Sequence, residues 1–136
     1  MPRVAHVVLD STAGYAVQVR AGHHHLVGDE PTSRGGTDTG PAPYDLLLSA
    51  LAACTAITLR MYADRKRWTL GAIRVDVEIS TGADGVEQVR RTLSFGEPLD
   101  ERQRTKLAEI AEKTPVTKTL RTGVAIATDI AAPKAS

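Results

Sequence analysis

The chain has 136 residues, 42% of them hydrophobic and 24% charged, with a formal net charge of +1. That is the balance of a soluble globular protein of one domain, here taken as 1–136, and so small a charge excludes a broad footprint for nucleic acid. A single cysteine excludes an internal disulfide and fits a reducing, cytoplasmic setting.

The N-terminal stretch MPRVAHVVLD has neither a signal-peptide core nor transit-peptide character. Within it, Arg3 to Leu9 is rich in β-branched residues and reads as a strand. Asp10 to Gly14 is a turn cluster. Tyr15 to Arg20 alternates apolar and polar residues as a second strand, and His23 to Val27 follows as a third, giving an antiparallel meander. Consecutive strand residues point to opposite faces, so of His23, His24 and His25 only the first and last can share a site. No further Cys/His spacing supplies the remaining ligands of a stable metal site, so a solvated edge strand is expected and no metal. His6 reads as a half-buried strand residue.

Gly28 to Ala42, GDEPTSRGGTDTGPA, has no hydrophobic period and reads as a long loop. Loops of this length in compact domains are often functional. Arg34 is its only cation, and Asp29, Glu30 and Asp38 are its anions.

The next stretch, Ala42 to Arg67, organises the rest. No charged residue falls between Leu46 and Leu59, and apolar or small residues cover every face of a helix drawn through it. Such a helix is a buried one. Pro43 suits a first helical turn, and Arg60, Arg65, Lys66 and Arg67 gather where cations favour the C-terminal end of the dipole. The reading is one central helix over Pro43 to Lys66. Its charge-free core, broken by Ser49, Thr55 and Thr58, falls short of the roughly 20 apolar residues of a membrane span, so a core helix and no membrane partner are expected. With only 4% aromatic residues, one chain has little with which to cover such a helix, and an oligomer would do so.

Trp68 to Gly71 connects to Ile73–Ile79, where Ile73, Val75, Val77 and Ile79 face one side and Arg74, Asp76 and Glu78 the other. Val86 to Phe95 is its partner strand after a turn. Asp100 is an N-cap with Gln103 three residues on, as in a capping box, opening a helix that runs through Lys113. Pro115 stops or kinks it, Val116 to Arg121 adds a short helical turn, and Val124 to Ile130 is a last strand. The expected order is β-β-β-α-β-β-α-β, an α+β domain with its helix packed on sheet.

Cys54, in the middle of the central helix, admits two readings. A cysteine in an apolar helix is usually a small packing residue; it becomes a nucleophile only where a cation or donor stabilises its thiolate. Arg34 is a cation of the required kind or an ordinary surface arginine. Asp45 either orients Arg34 through a bidentate pair or favours the helix N-terminus. Nine helical residues at about 100° each place Asp45 opposite Cys54 and roughly 13 Å along the axis. Their meeting needs an unwound helix start or a neighbouring subunit.

The run GGTDTGPAPYDLLLSALAACTAITLRMYADRKRW resembles the signature of the OsmC-like family, the osmotically inducible and organic hydroperoxide resistance proteins. The likeness extends through the paired strands, the Asp100 helix and KTPVTKTL. It implies an OsmC-like fold, with antiparallel sheets around a long buried central helix, assembled as an intertwined homodimer with two sites at the subunit interface. It also implies reduction of organic hydroperoxides by a thiolate. Cys54 matches the peroxidatic position, Arg34 the arginine that activates it in one branch, and Asp45, within Pro43-Tyr44-Asp45-Leu46, the acidic partner. Tyr44 and Thr114 are expected at the substrate pocket and second-cysteine position. Thr114 opens the Thr114-Pro115-Val116-Thr117-Lys118-Thr119-Leu120 segment where the family places its resolving cysteine, so the two-cysteine cycle cannot run within one chain. Two functions follow: a one-cysteine peroxidase or peroxide sensor that uses an external thiol reductant, or a dimer that binds a hydrophobic small molecule near Cys54. No nucleotide, flavin or metal motif is present, and no cofactor is expected.

Overall fold

A computed structural model of the chain describes residues 2–10 and 14–133. Most of the predicted turn at Asp10 to Gly14 therefore lies outside the described residues. The elements run β1 (Ala5–Val8), β2 (Val17–Ala21), β3 (His24–Gly28), a 3-10 turn (Thr32–Arg34), α1 (Pro43–Lys66), β4 (Ile73–Thr81), β5 (Glu87–Phe95), α2 (Glu101–Ala111) and α3 (Pro115–Thr122).

The chain clusters into two compact units. The first is drawn from residues 1–53 and 75–93. Here β1, β2 and β3 form the antiparallel meander read from the sequence, with Val7 opposite Val19 and Val19 opposite Leu26. Val19 is its buried centre. A side chain at Gly28, where β3 ends, would press on Val17 and reach Leu46 of α1, so the bare backbone there lets helix and strand close up. In the hairpin of β4 and β5, Ile73, Val75, Val77 and Ile79 are half-buried and the charged residues between them exposed, the predicted alternation. His24 and His25 stand exposed in β3, the first with its ring 4.1 Å from that of His23.

The second unit is drawn from residues 54–74 and 94–136. Leu59, Leu70 and Leu107 are fully enclosed in it. The connector after α1 is stitched to the end of β5 by Gly96 N–H donating to Ala72 and Glu97 N–H to Leu70. The Asp100 capping box forms as predicted: Gln103 N–H donates to the Asp100 carboxylate at 2.7 Å, and the Asp100 N–H donates back to the Gln103 side chain at 3.1 Å. Pro115 does not merely end a helix. It occupies the first turn of α3, where a missing N–H costs nothing.

Two expectations need correcting, the half-buried His6, which is exposed in β1, and the last strand. α1 has the predicted bounds and, as expected, a single chain does not cover it: its buried residues are the strip Leu51, Thr55, Leu59 and Ala63. Leu47, Ile57 and Met61 are 40%, 55% and 56% exposed. By length and composition alone α1 would also reach across a membrane, a test that core helices pass too. Residues 124–130 form no strand and join neither sheet. Val124, Ile126 and Ile130 are 69%, 87% and 97% exposed.

Candidate functional site

The loop before α1 is built around Asp29, a residue the sequence reading took only as one anion among three. Its neck is closed where the Asp29 N–H donates to the Pro41 carbonyl at 3.1 Å. Inside, the buried Asp29 carboxylate accepts the Thr37 hydroxyl and the Thr39 hydroxyl, each at 2.7 Å. It also accepts the backbone N–H groups of Glu30, Thr37 and Thr39. These donors, the two hydroxyls first, hold its pKa far below the ordinary carboxylate value. Two glycines make the close turns possible: a β-carbon at Gly36 would overlap the Glu30 carbonyl, and one at Gly40 the Val27 carbonyl. The signal in the sequence was an aspartate followed at eight and ten residues by threonines, among glycines. That spacing matches no local turn motif, and so it was missed.

This loop presents Arg34. The guanidinium-bearing residue ends the 3-10 turn, whose N–H groups return to Pro31 and Thr32, and Gly35 leaves the turn in the left-handed region at φ 90°. Arg34, Tyr44 and Asp45 line one cavity of about 650 Å3, together with Glu30 and Asp38. That volume lies within the usual range for small-molecule sites. Three of the five sequence-predicted site residues thus come together in the first unit.

Within the cavity Asp45 is engaged elsewhere. Its carboxylate accepts the Ala42 N–H at 3.0 Å, reaching back over the first turn of α1. Among the described residues no ion pair joins Arg34 to Asp45. Tyr44 is 55% exposed at the cavity wall.

Cys54 and Thr114 belong to the second unit. Cys54 is a free, half-buried thiol. Its helical position puts it on the same face as Leu47, Ala50, Ile57 and Met61, the strip the single chain leaves uncovered. Thr114 is completely buried, with its hydroxyl 2.6 Å from that of Thr117, which also donates to the Ala111 carbonyl. Thr114, expected at the second-cysteine position, is therefore one of a hydrogen-bonded pair of buried hydroxyls. Among the described residues no group of three His, Cys, Asp or Glu is arranged to hold a metal.

A family model for OsmC-like proteins matches residues 36–129, and the chain belongs to that family. Its fold recurs in the OsmC-like protein of Mycoplasma pneumoniae, with 21% identity, 89% and 88% of the two chains covered and a TM-score of 0.72. It recurs also in an organic hydroperoxide resistance protein, OsmC, of Legionella pneumophila, with 21% identity, coverage of 89% and 90% and a TM-score of 0.62. For the organic hydroperoxide resistance protein OhrB of Bacillus subtilis the values are 22%, 89% and 91%, and 0.59. A search of curated proteins finds no match to the chain.

Proposed function

We propose that this chain, acting as one OsmC-like domain in a homodimer, reduces organic hydroperoxides or senses them through Cys54 with a single cysteine. The observation that carries this reading is the retention of Cys54 in the helix of a chain that belongs to the OsmC-like family. Solved structures of the same fold include two named organic hydroperoxide resistance proteins.

In the proposed reaction the Cys54 thiolate attacks one peroxide oxygen. An S–O bond forms as the O–O bond breaks, and the leaving alkoxide takes a proton and departs as the alcohol. The peroxide is reduced and Cys54 is oxidised to sulfenic acid. An external thiol then attacks that sulfur, releasing water and leaving a mixed disulfide. A second thiol frees Cys54 and carries away the small disulfide. Arg34 is the proposed cation that stabilises the thiolate, and Asp45 its proposed orienting partner in the assembled protein. Tyr44 is the proposed pocket wall. No cofactor, membrane or nucleic acid enters the scheme, and a cytoplasmic setting would supply the reducing thiol.

The uncovered strip of α1 supports the homodimer. It places Cys54 among apolar residues that water would otherwise wet, and the unpaired residues 124–130 offer an intertwined partner a strand.

The test is a short pulse of organic hydroperoxide followed by a sulfenic-acid trap and intact mass measurement. A rapid single adduct is expected on the wild-type protein and none on Cys54→Ser, with peroxide consumption lost in parallel. No adduct on folded wild-type protein would sink the peroxidase.

A second reading has its own observation. With Thr114 buried and bonded to Thr117, the chain has put packing where the family's cycle puts chemistry, as a dimer that only binds a hydrophobic small molecule would. A bound molecule released on denaturation, from protein whose Cys54 does not react, is the outcome that reading expects.

A further inference from the structure

A second concavity lies entirely within the second unit, between the end of α1 and the first turns of α2, with a volume of about 590 Å3. One wall is aromatic. Tyr62 and Trp68 meet edge to face, their ring centroids 5.6 Å apart and their planes at 73°. In a chain with one tryptophan, three tyrosines and one phenylalanine, two of the five rings converge here. Their placement is fixed by the backbone. Arg67 turns the chain through the left-handed region at φ 58°, and the Trp68 N–H returns to the Ala63 carbonyl at 2.9 Å. That bond and the one from Arg67 to Asp64 also cap carbonyls at the C-terminus of α1, blunting the negative end of its dipole.

The other wall is charged. Lys66 lies 5.8 Å from the centre of the Tyr62 ring, and α2 adds Arg102 and Lys106. Two carboxylates, Glu101 and Glu109, share the lining, so the three cations leave one positive charge unbalanced. The pair between Lys106 and Glu109 is 3.5 Å long and about half exposed, an ion pair too weak to commit Lys106.

We propose that this concavity is a binding site for a small aromatic carboxylate. Its ring would lie against Trp68 and Tyr62 and its single negative charge among Lys66, Arg102 and Lys106. A ring supplies a face for both edge-to-face packing and cation–π contact. One charge, rather than the two of a phosphate monoester, matches the one unbalanced cation. The site shares no residue with the cavity of Arg34, Tyr44 and Asp45 and does not depend on the chemistry proposed for Cys54.

Trp68, as the only tryptophan, is a built-in reporter. The whole protein is titrated with benzoate, with benzyl alcohol as the ring without the charge and with acetate as the charge without the ring. Saturation-transfer NMR on the ring protons of benzoate gives a readout independent of Trp68 emission. Benzoate alone is expected to bind saturably, and Arg102→Ala and Lys106→Ala, both near-surface changes, are expected to weaken it at least about fivefold each. Cys54→Ser is expected to bind benzoate like the wild type. Absence of saturable benzoate binding by both readouts, an equal response to acetate or benzyl alcohol, or unchanged binding in both α2 variants would overturn the proposal.

Discussion

Asp29 shows how much one carboxylate can organise. Its oxygens gather donors from residues one, eight and ten positions away, and the loop that carries Arg34 closes around them. The consequence is a dependence on acid. Because the folded pKa lies below the ordinary value of 3.8, the carboxylate contributes stability that is fully present above that value and is lost as pH falls through the folded one. Asp29→Asn keeps one acceptor but points an amide at the same donors and does not titrate. It is expected to be less stable than the wild type at pH 7 and to show a flatter loss of stability below about pH 4. Urea midpoints measured from neutral pH downward check this, and parallel slopes for the two proteins would remove Asp29 from the account. None of this was legible in the sequence. The three anions of the loop looked alike there, and only the long-range return of Thr37 and Thr39 distinguishes Asp29 from Glu30 and Asp38.

At the scale of elements, legibility followed the range of the interactions involved. The bounds of α1, the alternation of β4 and the Asp100 capping box rest on neighbours within a turn or on a strict period, and all three were read correctly. The box is expected to matter measurably. Asp100→Ala leaves the Gln103 N–H without its acceptor and should lower stability by about 1 kcal/mol, seen as a shift in denaturant midpoint at unchanged slope. Failure came where an element depends on a distant surface. Val124 to Ile130 has the composition of a strand, yet it pairs with none of β1 to β5. The apolar circumference of α1 announced burial, and the scarcity of aromatic residues to cover it pointed to an oligomer. Of the site itself, Arg34, Tyr44 and Asp45 were chosen from sequence and do line one cavity, whereas the ion pair suggested for two of them is replaced by a bond from the Ala42 N–H. A carboxylate in a first helical turn has a backbone donor within reach at no cost in loop order, and that nearer partner won.

The whole molecule is where those unmet surfaces must be reconciled. Leu47, Ile57 and Met61 recur at helical spacing with Ala50 and Cys54 between them, a strip about one residue wide and four turns long. Water against that strip opposes the isolated chain, and burial of each large side chain contributes roughly 1.5–3 kcal/mol. In the proposed homodimer the strip meets its copy, and a charge placed at its centre would be stranded without a partner. Ile57→Glu tests this directly, because Ile57 is 55% exposed within one chain and its replacement should leave the fold of that chain intact. The expected outcome is monomeric protein by light scattering, with helical content kept and the Cys54 adduct slowed if the reactive site needs both subunits. A variant that remains dimeric would move the interface elsewhere. A dimer lost with unchanged Cys54 reactivity would instead separate assembly from chemistry, leaving the proposed site within a single chain.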